Sequence, residues 1–388
     1  MPPYMPGMLV ACSVLASIAI ASATTPSVSA GLGLDLARNE SVLLFDAPAY
    51  QTHTCPVQYL SAVQAYSYTN TSGALDEVVD VFNAFLESSG VEVNATAQDI
   101  LRSRAKYFAT TPIGHRTVQV EVGGCNKTLS IGETVKSSNA TDSGADDAGM
   151  AEGLGSLGAC DRAETATGRA VLRRGDSRSF TNTIYKSGKR GWGVISDIDD
   201  TIKITGSSLN AIKATLIEEA RPVAGMPALY SALSDLLNPA WIYLTGSPWQ
   251  LYGMLHDFIH TQFSASTGPI LMKNLTYTGV EGLLAFLEEG TSLAYKASRI
   301  DDIHTWYPGK MYLGVGDSSG FDPEVYAYAY RQYGPEWMKC IWIHLVEEGN
   351  NTAARWAEVF EGIPESVYKL YSDPLELNPE ALVEGACF

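Results

Sequence analysis

Three carboxylates fall within four positions at Asp197-Ile198-Asp199-Asp200-Thr201, where the short apolar run Gly193–Asp197 ends. Like charges this close repel each other, and burial would add a desolvation cost. We therefore expect a cation to offset them. Mg²⁺ is the simplest candidate, because it is a hard ion that prefers carboxylate oxygens. Asp200 is interpreted as a solvated turn residue.

A second acidic pair follows another apolar run. Asp317 comes just after Met311–Val315, and Asp322 lies five residues further on. Because parallel strands end at the same edge of a sheet, Asp197 and Asp317 are predicted to lie side by side and to share one metal ion. Asp322 precedes Pro323, so it is also suited to be a helix N-cap, and both roles are compatible.

A threonine and a lysine add polar groups suited to a phosphate. In Thr245-Gly246-Ser247-Pro248, Ser247 is a good N-cap and Pro248 a good first helical residue. The free amides of that helix start, with Thr245, would form a phosphate cradle. Lys296, 21 residues before Asp317, lies at the start of a predicted helix and could neutralise a phosphoryl group.

Apolar runs and helical stretches alternate from Gly191 onward, which is typical of a doubly wound parallel sheet with helices on both faces. One helix is predicted after Pro248 from the spacing of Leu251, Met254, Leu255, Phe258 and Ile259. The predicted strands are Gly193–Asp197, Trp241–Thr245, Pro269–Met272, Met311–Val315 and Lys339–Leu345. Trp249 and Tyr252 are interpreted as packing residues.

This set of motifs resembles the haloacid dehalogenase (HAD) superfamily of phosphatases. Its motifs appear in order as D-x-D-x-T at 197–201, Thr245 at a strand end, Lys296, and G-D-x-x-x-x-D at 316–322. The strings SDIDDTIKITG, YLTGSPWQLY and GDSSGFDPEVYAYAY resemble the catalytic domain of the fungal phosphatidate phosphatases first associated with actin patches. The resemblance covers about 191–348. Departures are Ser319-Gly320, in place of glycine plus a polar residue, and Thr245 where serine is common.

The resemblance implies a fold and a covalent mechanism. The fold would be a HAD-like doubly wound parallel sheet preceded by a smaller β-rich domain. Asp197 would attack phosphorus, and Asp199 would protonate the leaving oxygen and then activate water. Mg²⁺ would bridge Asp197, the backbone carbonyl of Asp199 and Asp317, while Asp322 would hold Asp317 or a metal-bound water. Thr201 is expected to orient the loop.

The first half of the chain predicts mostly strands. Ser41–Phe45, Val57–Tyr68 and Thr117–Val122 are rich in β-branched and aromatic residues, whereas Leu75–Leu86 has the pattern of an amphipathic helix. From about residue 136 to 168 the composition shifts to Ser, Ala, Gly and Asp, which indicates a linker. The predicted organisation is a signal peptide at 1–23, a β-rich domain at 24–133, a linker at 134–168 and a catalytic domain at 169–388.

Several features predict secretion. Met8–Ala23 is an uncharged apolar run that ends in Ala21-Ser22-Ala23, a small-x-small cleavage pattern. The run is shorter than the roughly 20 residues of a membrane span, although no Lys or Arg precedes it, and a signal anchor or a buried helix is the alternative. Seven N-x-Ser/Thr sites predict N-glycosylation: Asn39, Asn70, Asn94, Asn126, Asn139, Asn274 and Asn350.

Cysteine usage also agrees with secretion. Removal of the signal leaves Cys55, Cys125, Cys160, Cys340 and Cys387, an odd number, so at least one would be free or would pair between chains. One or two disulfides are expected, with Cys340–Cys387 a plausible pair. The histidines are interpreted as unpaired, so that neither a zinc site nor a histidine-based phosphatase is expected.

The net charge of −17 argues against a nucleic-acid partner, since phosphate affinity requires clustered Lys and Arg. The segment Arg162–Arg190 is an exception, with eight basic and two acidic residues. It is either a solvated loop face or a patch that draws a lipid surface toward the site.

Three functions follow from these features. The leading one is a secreted Mg²⁺-dependent phosphatase that acts on phosphatidate or a related lipid phosphate. The second is the same chemistry on a soluble phosphomonoester, and the third is a non-catalytic glycoprotein whose acidic pocket binds a cation.

Overall fold

The structure, a computed structural model, describes residues 33–52, 57–134, 149–206, 208–273 and 293–388. The predicted signal peptide, Cys55 and the sites at Asn139 and Asn274 lie outside these ranges. No helix of the described ranges has the length and apolar character that a membrane crossing needs.

The N-terminal half forms a nine-stranded, mostly antiparallel sheet. In β5 the side chains of Val118, Val120 and Val122 are buried and their neighbours are more exposed, as the period of two along a strand requires. The strands are β1 (Glu40–Leu44), β2 (Ala47–Gln51), β3 (Tyr59–Asn70), β4 (Thr110–Pro112), β5 (Thr117–Val122), β6 (Leu129–Glu133), β7 (Met150–Gly158), β8 (Thr165–Ala170) and β9 (Thr181–Ser187). The strands predicted at 41–45, 57–68 and 117–122 are confirmed.

The predicted linker at 134–168 is wrong where the structure describes it. Strand β7 and the start of β8 fall within it, and β7 pairs with β3 along its length. A Cβ atom at Gly153 would lie 2.5 Å from the Cα of Ile131, so the close approach of β6 requires glycine there. The small residues that resemble a loop by composition are therefore demanded by packing. Residues 135–148 lie outside the described ranges.

Two helices follow β3. The helix predicted over Leu75–Leu86 is confirmed as α1 (Ala74–Ser88), which buries Val79, Phe82 and Leu86. A second helix, α2 (Ala95–Ala105), was not predicted. It is capped by Asn94, whose side chain accepts a hydrogen bond of 2.9 Å from the amide of Ala97.

The C-terminal half contains a six-stranded parallel sheet in the order β12-β11-β10-β13-β14-β15. Its strands are β10 (Trp192–Ser196), β11 (Ala240–Pro248), β12 (Ile270–Lys273), β13 (Met311–Asp317), β14 (Met338–His344) and β15 (Tyr368–Tyr371). The first five confirm the predicted strands, and β15 was not predicted. This sheet begins at Trp192, later than the predicted domain start at 169, because β8 and β9 pair within the first sheet.

The strand order reverses between β10 and β13. The chain adds β11 and β12 on one side of β10 and β13, β14 and β15 on the other, which is the 3-2-1-4-5-6 order of doubly wound sheets. A crevice forms at the carboxyl ends of the strands where the order reverses, and ligands bind there in such sheets. Asp197 follows β10 and Asp317 ends β13, so both lie at this crevice.

Helices cover both faces of the parallel sheet. The remaining helices of the described ranges are α3 (Ser208–Leu216), α4 (Met226–Leu237), α5 (Tyr252–Gln262), α6 (Leu293–Trp306), α7 (Asp322–Tyr333), α8 (Ala353–Val359) and α9 (Pro379–Val383), with 3₁₀ turns at Trp249–Leu251, Ser264–Ser266 and Pro374–Glu376. Val194 shares an apolar cluster with Tyr230 of α4, and Ile195, which points to the other face, shares one with Ile300 of α6.

Aromatic side chains join the two halves. The ring of Tyr66 lies 4.1 Å from that of Trp249, and Phe45 lies 4.8 Å from Tyr252 in an edge-to-face contact. All four side chains are buried, which confirms Trp249 and Tyr252 as packing residues.

Two disulfides occur in the described residues. Cys340–Cys387 joins β14 to the end of the chain and confirms the predicted pair, and Cys125–Cys160 links two loops of the first sheet. No cysteine in the described ranges is free.

Candidate active site

Three buried aspartates converge at the crevice. Asp197, Asp317 and Asp322 each place a carboxylate oxygen within 4.8 Å of the others. The amide of Asp197 donates to the carbonyl of Val315 at 2.9 Å, which holds the end of β10 against β13. The hydroxyl of Thr201 donates to Asp197 Oδ2 at 3.2 Å, as a residue that orients the loop would do. The sequence prediction that Asp197 and Asp317 lie side by side is therefore confirmed.

Lys296 bridges two of these aspartates from the first turn of α6. Its Nζ lies 2.5 Å from Asp197 Oδ1 and 2.5 Å from Asp322 Oδ1. Burial alone would lower the pKa of this ammonium group, but the two carboxylates outweigh burial and raise it. Lys296 is thus a fixed positive charge in the site.

Asp322 contacts Asp317 through its other oxygen. Its Oδ2 accepts a hydrogen bond of 3.2 Å from the amide of Asp317. The N-cap role expected for Asp322 is wrong, because Asp322 is the first residue of α7 and its carboxylate faces the site instead of the helix amides. A Cβ atom at Gly316 would lie 2.4 Å from the Cβ of Asp322, so the close approach of α7 to β13 requires glycine.

The charges of this cluster fit a divalent cation. Burial, followed by the charge of Asp322, raises the pKa of Asp197 well above its usual range, and the same causes raise the pKa of Asp317 to about 7. Within the described residues, Lys296 is the cation that forms ion pairs with the cluster. When all three carboxylates are ionised, the ammonium of Lys296 offsets one charge and two negative charges remain uncompensated. A hard divalent ion with oxygen ligands matches this charge and this donor set.

Asp199 occupies a different environment two residues from Asp197. Its Oδ1 accepts from Lys203 Nζ at 2.8 Å and from the hydroxyl of Thr205 at 2.7 Å. Its Oδ2 accepts from Ser247 at 3.0 Å and from Thr245 at 3.3 Å. Burial would raise the pKa of Asp199, but Lys203 and these hydroxyls lower it to about 2.

The expected helix start at Ser247-Pro248 is wrong. Strand β11 continues to Pro248, a 3₁₀ turn begins at Trp249, and Pro248 is its N-terminal flanking residue, with no side-chain cap. The hydroxyl of Ser247 donates to Asp199, so it is not available to cap a helix. Thr245 accepts a hydrogen bond of 3.0 Å from the amide of Ser247 and so shapes the same turn.

Asp200 organises the loop that follows Asp197. Its backbone has a left-handed φ of 57°, and its Oδ1 accepts from the amides of Thr205 and Gly206, each at 2.8 Å. It is only partly exposed, so the expectation of a merely solvated turn residue is wrong. An aspartate fits here because a short polar side chain both tolerates this conformation and bonds nearby amides.

Two residues near the site were missed by sequence reasoning. Lys203 is buried beside Asp199, and its position four residues after that aspartate was the available signal. His344, at the end of β14, places Nδ1 2.7 Å from the carbonyl of Asp200. Nothing in the spacing of His344 pointed to this contact, because it depends on the order of the strands.

The basic segment 162–190 is partly neutralised. Arg173 pairs with Asp35, Arg178 with Asp176, and Lys186 with Asp161. Arg178 also donates to backbone carbonyls of residues 36, 37 and 40, and Lys186 is buried. These contacts stabilise the first sheet and leave fewer basic groups for a ligand than the sequence predicts.

Fold and site together define an α/β protein whose acidic centre lies where a parallel sheet reverses its strand order. Residues 192–345 match the family described as the phosphatidate phosphatase APP1, catalytic domain. A curated relative, phosphatidate phosphatase APP1 of Saccharomyces cerevisiae (strain ATCC 204508 / S288c), is 26% identical over 193 residues, which are 48% of this chain and 32% of the relative. The chain thus matches about a third of that relative's length. The matched residues 192–345 contain every residue of the acidic site described above.

Proposed function

We propose that the chain is a secreted, HAD-type, Mg²⁺-dependent phosphatase that hydrolyses phosphatidate or a related lipid phosphate through an aspartyl-phosphate intermediate. The observation that carries the proposal is the position of Asp197 at the end of β10, between Lys296 and the Asp317–Asp322 pair. The match of the surrounding segment to a phosphatidate phosphatase catalytic domain supports the substrate class.

Asp197 is the nucleophile in this proposal. Its Oδ2, the oxygen that Thr201 contacts at 3.2 Å, attacks phosphorus, and the bond between phosphorus and the leaving oxygen breaks. Lys296 fixes the other oxygen, Oδ1, at 2.5 Å and offsets negative charge during the transfer. Mg²⁺ held by Asp197, Asp317 and the backbone carbonyl of Asp199 would neutralise charge on the phosphoryl group. Asp322 orients Asp317 through the backbone amide.

Asp199 transfers the protons. It protonates the leaving oxygen in the first step and takes a proton from the attacking water in the second. In the substrate-free protein it is ionised, with a pKa of about 2, which suits the second step. The first step requires Asp199 to release Lys203 and Ser247, take up a proton from solvent, and turn toward the leaving oxygen; the proton it takes from water in the second step then returns to solvent. Thr245 and Ser247 hold the ionised form until then.

Secretion is supported by the surface and by the disulfides. The five glycosylation-site asparagines in the described ranges are all exposed: Asn39, Asn70, Asn94, Asn126 and Asn350. Cys125–Cys160 and Cys340–Cys387 are typical of an oxidising compartment. Treatment of the protein from culture medium with an N-glycosidase should lower its mass. A chain that stays inside the cell and unglycosylated contradicts this part of the proposal.

A phosphate-release assay tests the catalytic proposal. The purified full chain should release inorganic phosphate from phosphatidate vesicles with Mg²⁺, and a chelator should stop the release. Asp197→Asn should lower the rate by about 10⁴-fold or more, because loss of a nucleophile removes the covalent path. Asp76→Asn, an exposed aspartate of α1, is the matched control and should keep full activity. Equal rates for Asp197→Asn and the control would disprove the mechanism.

Charge reversal in the basic segment 162–190 tests whether this segment contacts a lipid surface. Arg162 and Arg174 are exposed in the basic segment, so Arg162→Glu/Arg174→Glu should slow hydrolysis of vesicle-bound phosphatidate but not of a small soluble ester. The control Arg102→Glu/Lys106→Glu changes the charge by the same amount, at exposed residues in α2 and directly after it, and should affect neither substrate. Equal losses on vesicle and ester, or faster turnover of soluble esters by the unaltered chain, would favour a soluble phosphomonoester as the substrate.

A further inference from the structure

A second polar cluster lies between the two halves of the molecule. His256 and His260 are one turn apart on α5, and their rings stack with centroids 4.1 Å apart. Asp46, in the loop between β1 and β2, faces them from the first sheet. The expectation of unpaired histidines is therefore wrong, and the H-x-x-x-H spacing was the signal that could have found this cluster.

The protein holds Asp46 in a fixed position. Its backbone amide donates to the hydroxyl of Tyr252 at 3.0 Å, and its Oδ1 accepts from the amide of Thr183 at 2.7 Å. Asp46 is 6% exposed, yet its Oδ2 accepts no hydrogen bond from any described residue. A buried carboxylate oxygen without a donor is costly, and it indicates that a ligand completes the site.

The spacing of the three groups fits a metal ion better than direct hydrogen bonds. Asp46 Oδ2 lies 3.5 Å from Nε2 of His256 and 3.7 Å from Nε2 of His260. Both distances exceed the usual range for a hydrogen bond, which is about 2.7–3.2 Å. Ligands around a tetrahedral ion with bonds of about 2.0–2.1 Å lie roughly 3.3 Å apart. Small side-chain adjustments therefore suffice to place all three ligand atoms on one ion.

The surroundings favour imidazole ligation through Nε2. Asp257 Oδ1 lies 3.4 Å from Nδ1 of His256, so a small side-chain movement would give a proton on Nδ1 an acceptor and leave Nε2 to offer its lone pair toward Asp46. The side chains of His256 and His260 are about one third exposed, at 30% and 36%, so an ion can enter from solvent.

We propose that Asp46, His256 and His260 bind a Zn²⁺ ion that joins the first sheet to α5 of the catalytic half. Two imidazoles and one carboxylate are a common protein ligand set of zinc, whereas Mg²⁺ prefers an all-oxygen set such as the aspartate cluster of the active site. A water molecule would complete a tetrahedral set, and the partly exposed histidines leave it access from solvent.

Zinc titration of the full chain tests this site. In excess Mg²⁺, which occupies the oxygen-ligand site, the unaltered protein should bind one more Zn²⁺ per chain than His256→Asn/His260→Asn, as measured by calorimetry. Asp257→Ala, which removes the acceptor of His256 Nδ1, should weaken this binding about 10-fold, as loss of a partner of a metal-bound histidine does. His115→Asn is the matched control, because His115 pairs with a single carboxylate, Glu133, and has a left-handed φ that Asn accepts.

A measurement on the unaltered protein covers the case in which the double variant fails to fold. Co²⁺ added in excess Mg²⁺ should give the intense visible absorption of a four-coordinate site with nitrogen ligands, and Zn²⁺ should remove it. Zinc uptake equal in the double variant and the control, or no such cobalt spectrum, would overturn the proposal and leave an ordinary Asp–His contact between the two halves.

Discussion

Two carboxylates, separated in the chain by one isoleucine, have opposite surroundings in this protein. Asp197 lies among other carboxylates, Asp322 and Asp317, and its pKa is raised well above the usual range. Asp199 faces a lysine and three hydroxyls, and its pKa is lowered to about 2. Burial pushes both pKa values upward, so the neighbours decide the difference.

This contrast shows how one short loop can hold two chemical roles. Sites that use one acid as nucleophile and another for proton transfer keep the pKa values of the two acids apart. In the metal-free protein the two shifts are the reverse of these roles, since a nucleophile must be ionised, and a divalent cation at the aspartate cluster would lower the pKa of Asp197. Lys296 and Lys203 are the cations on the two sides. Replacing each lysine in turn measures how strongly the folded protein depends on the cation beside Asp197 and on the cation beside Asp199.

Lys296→Met should have the largest effect on stability. It leaves three buried carboxylates without their cation, and loss of one partner of a buried ion pair costs about 3–5 kcal/mol. Urea unfolding in Mg²⁺-free buffer measures the loss, and added Mg²⁺ should restore part of it, because the ion supplies the missing charge. Lys213→Met, at a half-exposed lysine of α3, is the control. A stability equal to that of the control would show that Asp197 and Asp322 do not depend on Lys296.

Lys203→Met should cost less, about 2 kcal/mol in the free energy of unfolding. The lysine is fully buried, but Asp199 keeps its three hydroxyl donors and about 30% of its side-chain surface is exposed, which reduces the loss below that of a fully buried pair. The same urea series measures it. A loss of stability greater than that of Lys296→Met would show that Asp199 depends on its lysine more than the aspartate cluster does.

The pH dependence of stability should reveal the ionised state of Asp199. Its folded pKa of about 2 lies below the unfolded value, so its contribution is present above about pH 4 and is lost as the pH falls toward 2. The contribution is at most about 2 kcal/mol. Unfolding of the unaltered chain and of Asp199→Asn between pH 5 and 2 should therefore converge at low pH. Parallel curves would mean that Asp199 is not preferentially ionised in the folded protein.

Thr245→Val and Ser247→Ala should have the smallest effects. Each removes one hydroxyl donor to Asp199 Oδ2, which costs about 1 kcal/mol when other donors stay in place. Thermal unfolding should show a small decrease in Tm for both, and Thr245→Ser, which keeps the hydroxyl, should restore it. If the Tm changes in neither variant, the low pKa of Asp199 is due to Lys203 and Thr205.

The sequence predicts the second sheet better than the first. Buried parallel strands are continuous apolar runs, so β10, β11, β13 and β14 were recognisable, and the site residues at their ends followed from strand order. Strand β7 was missed because it contains glycines, which are typical of loops. These glycines allow the close contact with β6, and a contact between distant strands leaves no local sequence pattern. Helix α2 has a weakly apolar face, with only Leu101 as a large buried aliphatic side chain, so its periodicity is faint.

Within the site, it was easier to predict which residues take part than where their side chains point. Asp197, Lys296, Asp317 and Asp322 were placed together correctly because each follows or faces a strand end. Ser247 was assigned to a helix cap, since a Ser-Pro pair favours a helix start, but Asp199 competes for its hydroxyl from a strand that is distant in sequence. Asp46 and the α5 histidines meet only after the two halves pack, so their contact depends on tertiary structure.

The buried aromatic contacts between the two halves mean that neither half is complete without the other. Trp249 and Tyr252, which follow strand β11 of the parallel sheet, pack their rings against Tyr66 and Phe45 of the first half. A fragment trimmed to residues 192–345 would expose these rings to water, together with part of a shared apolar core. Such a fragment would be prone to aggregate, so the C-terminal half depends on the first sheet to cover its apolar surface.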